Sequence, residues 1–334
     1  MATVFVTGGT GLIGSNICEQ LRARGDRVRA LARPGSEVGP LRAMGVEIVD
    51  GDVSDAASVL RASQGCDSVI HSAAVLGGAS QDPNEHLRVN TGGVGNVLDA
   101  AQKHGMRKVV TLGTTTYFDF KTRPLTESSP VDPDASNDPY TQTKRTAYLE
   151  AMKRAGEGLD LSVVIPGGTF GPAPCITRAM EAPSFNLRLL LALEGKLAQA
   201  TAFPIPWSFA SDVAAASIAA LDRGVRGETY LAFASNDDVC TMAEFLNRGC
   251  AMAGVSHRVV DITAAMLDAS AELRTQVGPS MVALAHQEFP EPYFDNALTV
   301  KRLGYKPQGL DAALAETVEW LRRHVRHQAT RRVN

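Results

Sequence analysis

Long apolar runs are missing from this sequence. No hydrophobic stretch approaches the ~18 residues that a membrane span requires. The first of them, Val4 to Val6, stops at Thr7-Gly8-Gly9 with no basic segment before it. We therefore expect no membrane helix, no secretory leader and a cytoplasmic protein. Cysteine is scarce and unpatterned: Cys18, Cys66, Cys175, Cys240 and Cys250 are odd in number and never spaced as CxxC. They read as reduced, mostly buried residues, with neither a disulfide framework nor a zinc site. The seven histidines show no metal spacing either. An excess of charge of one sign is also lacking. With 33 basic and 36 acidic side chains the net charge is −3, too balanced for a general nucleic-acid or anionic-membrane binder. What is abundant is core material. Hydrophobic residues make up 44% of 334 and charged residues only 21%, which excludes wholesale disorder and suits one large domain or two intimate ones.

The first half alternates short β-branched runs with helical stretches. Strands are predicted at Thr3–Thr7, Arg27–Ala32, Val46–Asp50, Ser68–Ser72, Lys108–Leu112 and Leu161–Ile165. Helices are predicted at Ile13–Arg24, Ala56–Ala62, Asn90–Lys103 and Tyr140–Ala155. Strict alternation means βαβ units on a parallel sheet covered on both faces. It fades after Pro166, where a Pro- and Gly-rich stretch leads to a helix at Asn186–Leu193, a small-residue helix at Asp212–Ala220 and a strand at Glu228–Ala232. The chain therefore divides into residues 1–166, rejoined by about 208–235, and a smaller lobe from residues 167–207 and 236–328.

The segment Val4-Phe5-Val6-Thr7-Gly8-Gly9-Thr10-Gly11-Leu12-Ile13-Gly14 reads as a strand, a glycine turn and a helix start. Gly8 permits the sharp turn, Gly11 lets a pyrophosphate approach the backbone, and Gly14 removes a Cβ where helix meets sheet. Its place in the first βα turn makes this a dinucleotide loop and not an ordinary glycine turn. At the end of the second strand an NAD site normally carries an acid for the ribose hydroxyls. Here Val28-Arg29-Ala30-Leu31-Ala32-Arg33-Pro34-Gly35-Ser36 offers none before Glu37. Arg33 can pair with a 2′-phosphate instead, which favours NADP, with NAD as the alternative.

Tyr140 and Lys144 lie at i and i+4 on one helix face, after the helix entry Asp138-Pro139. An ammonium beside a phenol would lower the tyrosine pKa from ~10 toward neutrality. Upstream, Gly113-Thr114-Thr115-Thr116 puts hydroxyls at the C-terminal edge of the sheet, where ligands of open α/β sheets bind. His71, ending a strand, reads as a hydrogen-bonded core histidine.

These residues together resemble an extended short-chain dehydrogenase/reductase of the NAD(P)-dependent epimerase/dehydratase superfamily, over nearly the whole length. Thr7–Gly14 resembles that family's TGxxGxxG loop, so Gly8, Thr10, Gly11, Leu12, Ile13 and Gly14 are implied to bind cofactor. The acidic turn Gly51-Asp52-Val53 implies adenine contacts from Asp52 and Val53. His71-Ser72-Ala73-Ala74 is similar to the strand end beneath the cofactor, and Arg88-Val89-Asn90 to the helix start near it. Pro166-Gly167-Gly168-Thr169 is similar to the segment that passes the nicotinamide. Tyr140 and Lys144 match the catalytic pair. Thr114 takes the Ser/Thr position, although Gly113 departs from the usual paired serines and leaves Thr115 as a second candidate. The resemblance implies a Rossmann-type doubly wound α/β fold with an interleaved C-terminal substrate lobe, and a homodimer built on the helices at 90–103 and 140–155.

Sugar-nucleotide members carry an Arg-Asp-Phe run before the helix that here starts Ala210-Ser211-Asp212-Val213. This chain has the apolar Phe203-Pro204-Ile205-Pro206-Trp207-Ser208-Phe209 instead. With Arg33, that points to a dihydroflavonol-reductase-like carbonyl reductase for a small, moderately apolar ketone or aldehyde, in either direction. The alternatives are a sugar-nucleotide epimerase/dehydratase (supported if Arg178, Arg188, Arg258 or Arg274 meets the pocket), a 3β-hydroxysteroid-type dehydrogenase, and a dinucleotide sensor without turnover.

Overall fold

The computed structural model describes residues 2–119, 124–134 and 138–331. Six strands follow the sequence pattern closely: β1 (Thr3–Thr7), β2 (Arg27–Ala32), β3 (Glu47–Asp50), β4 (Ser68–His71), β5 (Lys108–Leu112) and β6 (Leu161–Pro166). Three short strands follow, β7 (Gly168–Phe170), β8 (Gln199–Thr201) and β9 (Trp207–Phe209). Then β10 (Thr229–Ala232) returns to the main sheet and β11 (Val260–Ile262) pairs with β8. The main sheet has seven parallel strands in the order β10-β6-β5-β4-β1-β2-β3. Strand order reverses between β1 and β4, which opens a crevice at their C-terminal ends.

Strand side chains alternate between faces, and the two faces bury different helices. Val4, Val6, Ile70, Val110 and Val164 pack with Ile17 and Leu21 of α1 (Leu12–Ala23). The short α2 (Gly39–Ala43) adds Leu41 to that face. Phe5, Val69, Val109 and Val163 point the other way. They meet Val59 of α3 (Ala56–Ala62), Val97 and Leu98 of α5 (Gly93–His104), and Ala147 and Ala151 of α6 (Pro139–Gly156).

One boundary differs from expectation by more than three residues. The helical path near Asn90 starts earlier, with α4 (Pro83–His86) capped by Asp82, and passes through a π-helical turn at Leu87–Gly92 before α5. That wider turn carries Asn90, whose carboxamide reaches the loop after β4 and the Thr143 hydroxyl of α6.

Past β6 the chain adds α7 (Ile176–Ala179) and α8 (Phe185–Leu193), crosses back through β9, and forms α9 (Ala210–Arg223), which packs against α1. A separate core surrounds Phe170, Trp207 and Phe245, the last two stacked with ring centroids 3.9 Å apart. Phe245 lies on α10 (Met242–Met252). Side chains of α1 tie this second core to the first. Asn16 Nδ2 donates to the Pro172 carbonyl at 3.0 Å and Gln20 Nε2 to the Ser211 carbonyl at 2.9 Å. All five cysteines are buried and unpaired. Among the described residues no helix is long and apolar enough to cross a membrane.

Candidate active site

The glycine loop is closed by contacts that leave no space for side chains. Gly8 has φ +71°, and a Cβ there would stand 2.6 Å from the Ala73 amide nitrogen. A Cβ on Gly14 would stand 2.0 Å from the Gly8 carbonyl oxygen. The Gly11 amide donates back to that oxygen at 2.9 Å, and Gly11 caps α1. Thr10, Leu12 and Ile13 stay partly exposed at the helix start, where first-turn amides have no helical acceptor. Such a cradle fits a pyrophosphate. Ser72 supports it from below: its Oγ donates to the Thr7 carbonyl at 2.8 Å, while Ala73 and Ala74 continue the strand end half-buried.

At the adenosine end, Arg33 is exposed on the turn after β2, and its carbonyl accepts from the Ser36 amide at 3.0 Å. Glu37, the first acid after that strand, points elsewhere. Its Oε2 accepts from the Thr177 amide of α7 at 2.8 Å. Asp52 Oδ1 accepts from both the amide and the hydroxyl of Ser54 at 2.8 Å, which fixes the turn beside buried Val53.

Thr114, Tyr140 and Lys144, the residues expected to handle the proton, lie at the C-terminal ends of β4 and β5. Asp138 caps α6 by accepting from the Thr141 amide at 2.9 Å, and Pro139 opens the helix, so Tyr140 stands in its first turn. Thr114 is buried, and its hydroxyl acts on the Tyr140 phenol, drawing the phenol pKa down against the upward push of burial. Thr115, half-buried, opens the 3₁₀ turn at Thr115–Tyr117 that the Thr114 hydroxyl caps. Thr114, and not Thr115, is thus the hydroxyl set against the Tyr140 phenol.

Lys144 departs from expectation. Its ammonium is buried and donates to the Leu112 carbonyl at 2.6 Å, and burial pushes its pKa down to about 8. It faces His71, whose pKa burial and the Lys144 charge push down to about 3. The Tyr140 phenol is raised by burial and by Asp138, not lowered by Lys144. The hydrogen bond of the ammonium goes instead to the carbonyl at the end of β5. His71 itself is the hydrogen-bonded core histidine foreseen, with Nδ1 2.7 Å from Thr7 Oγ1.

Asn90 is buried; its Oδ1 accepts from the Val75 amide at 2.8 Å and its Nδ2 donates to the Val75 carbonyl at 3.0 Å. Pro166 ends β6 opposite Ala232, and Thr169 in β7 donates to the Gly167 carbonyl at 3.1 Å. Both are half-buried. Of the four arginines considered for a diphosphate clamp, Arg178 pairs with Glu181 at 2.8 Å and Arg274 donates to the Leu267 and Asp268 carbonyls. Arg188 and Arg258 are exposed.

Residues missed from sequence surround Tyr140. The ring of His86 meets it edge-on with centroids 6.4 Å apart, and a Cβ on Gly77 would come within 3.2 Å of its Cδ1. The i, i+4 spacing of His86 and Asn90 was the available signal.

A glycine cradle at the β1–α1 turn, with a Thr-Tyr-Lys group across the crevice, is matched over residues 4–232 by the model of the NAD dependent epimerase/dehydratase family. The chain belongs to that family. Similar relatives include sterol demethylase protein B of Methylococcus capsulatus, 28% identical over 96% of this chain and 98% of that protein. Another is a putative dihydroflavonol 4-reductase of Synechocystis sp., 27% identical over 96% of this chain and 94% of the relative. Among solved structures, gox2253 shares the fold with a TM-score of 0.83 at 24% identity, covering 97% of this chain and 99% of its own. Both of these curated relatives are matched nearly end to end.

Proposed function

We propose that the protein is an NADP-dependent oxidoreductase acting on the ketone or aldehyde, or the corresponding alcohol, of a small and moderately apolar substrate. When bound, the nicotinamide cofactor supplies or receives the hydride. The observation that carries the reading is the Thr114 hydroxyl set against the Tyr140 phenol at the crevice. Tyr140 gives its proton to the substrate oxygen during reduction and takes it back in the reverse direction. Thr114 holds that oxygen. Lys144, a buried cation behind them that is held by the Leu112 carbonyl, offers its remaining donors to the nicotinamide ribose.

Arg33 and the engagement of Glu37 with α7 support NADP over NAD, since no carboxylate from that turn is free for ribose hydroxyls. The run from Phe203 to Phe209 carries no charge for a diphosphate, and exposed Leu76 adjoins Gly77, which rests on Tyr140; both support an apolar substrate. The names of the dihydroflavonol-reductase and sterol-demethylase relatives agree with such a substrate. A panel of ketones, aldehydes and sugar nucleotides, run with each reduced cofactor, tests the assignment. Tyr140→Phe keeps the ring and removes the transferable proton, so turnover should fall about 10²–10⁴-fold while cofactor affinity persists. Wild-type rates in that variant would end the mechanism.

A further inference from the structure

The segment after β4 forms a strap over the catalytic tyrosine, pinned at both ends by one helical run. At its start, Val75 is held by the two Asn90 hydrogen bonds. At its far end, the Ser80 carbonyl lies 3.2 Å from His86 Nε2. Between them, Ala79 donates to the Leu76 carbonyl at 3.0 Å, Gly77 rests on the Tyr140 ring, and Gly78 approaches Pro183 of the second lobe.

His86 is buried, and its two ring nitrogens face opposite partners. Asn90 Nδ2, a donor only, lies 3.4 Å from Nδ1, and the Ser80 carbonyl, an acceptor only, faces Nε2. The neutral ring with its proton on Nε2 satisfies both. The same ring meets Tyr140 edge-on. One side chain therefore touches the strap, the asparagine that holds the strap's other end, and the phenol beneath it.

We propose that His86 is a positioning residue: by holding Ser80 it sets the height of Gly77 above Tyr140, and with it the place of the adjoining, exposed Leu76. It thereby admits carbonyl substrates with a slim, apolar flank on the strap side. The proposal rests on the reading of Tyr140 as acid/base, and it adds a specificity role outside the Thr114, Tyr140 and Lys144 group.

The test compares His86→Leu, which keeps volume and loses both hydrogen bonds, with His86→Gln, whose amide can again donate to Ser80. In the full-length protein without substrate, hydrogen–deuterium exchange at Gly77 and Ala79 should quicken in His86→Leu and slow again in His86→Gln. That readout needs no turnover, so it stands or falls apart from the oxidoreductase assignment. With an active carbonyl substrate, KM should rise about 2–10-fold in His86→Leu, the span of one net hydrogen bond. That rise should exceed the fall in kcat, and His86→Gln should recover it. Gly77→Ala approaches from the other side by lifting the strap off the ring, and should raise KM for branched ketones more than for linear ones. Unchanged exchange in His86→Leu, a parallel loss of cofactor affinity, or no KM recovery in His86→Gln would overturn the proposal. If His86→Leu does not fold, equal KM effects of Gly77→Ala on branched and linear ketones would overturn it.

Discussion

Gly113 and Tyr117 are fitted to each other: a Cβ on Gly113 would stand 2.3 Å from the Tyr117 hydroxyl oxygen, and as close to Ile165 Cδ1. The Tyr117 ring is fully buried and stacked on Tyr148, with centroids 4.9 Å apart, so it has little room to retreat. That fit accounts for the glycine at this position. Gly113→Ala should destabilise the fold by about 1–3 kcal/mol, the usual range for overpacking. Tyr117→Phe removes the nearest clashing atom, so the double variant should lose less than the sum of the two singles. Urea unfolding of all four proteins measures the coupling, and strict additivity would refute the fit.

Thr114 and Thr115 differ in burial and in reach. Thr114→Val should slow single-turnover hydride transfer about 10–10³-fold with cofactor affinity kept, on the scale of losing one donor to a developing oxyanion. Thr115→Val should do much less. A larger loss at Thr115 would transfer the role.

Replacing Arg33 by Asp should weaken NADPH binding about 10–150-fold, equivalent to ~1.5–3 kcal/mol for a charge-assisted contact. NADH binding should hold or improve. Fluorescence titration with both cofactors decides it, and a wild type that prefers NADH would refute the assignment.

His71 should make the fold acid-sensitive. Its pKa is about 3 when folded and near 6.5 when exposed, so between those values the unfolded chain binds a proton that the folded chain does not. Stability from this site therefore rises with pH from about 3 to 6.5, and is lost as pH falls through that window. The slope approaches about 1.4 kcal/mol per pH unit. His71→Gln should flatten the acid limb of a denaturation series. An unchanged limb would show that another group carries it.

The parallel sheet could be read from sequence because each strand is a short β-branched run bounded by a turn, and β1, β2 and β5 match the predicted ends residue for residue. The glycine loop was equally legible, since its spacing is local. Contacts between distant elements were not. Nothing in the i, i+4 spacing of Tyr140 and Lys144 tells that the Leu112 carbonyl takes the ammonium. Glu37, the first acid after β2, is turned away by an amide 140 residues later. The bracing of Tyr140 by His86 and Gly77 likewise depends on how the loop after β4 folds back, which no local pattern encodes.

The return of the chain through β9, α9 and β10 has a practical meaning for engineering. A new substrate preference cannot be installed by cutting once after β6 and fusing a foreign C-terminal half. Such a cut would strip α9 from α1 and leave β6 as a bare sheet edge. Chimeras should instead exchange two separate inserts, before β9 and after β10, and keep the stretch from Trp207 to Ala232 native. Even then, the hydrogen bonds from the Thr177 amide to Glu37 and from Asn16 to the Pro172 carbonyl cross the junction, and a graft that lacks the matching donor and acceptor would begin life loosened at its seam.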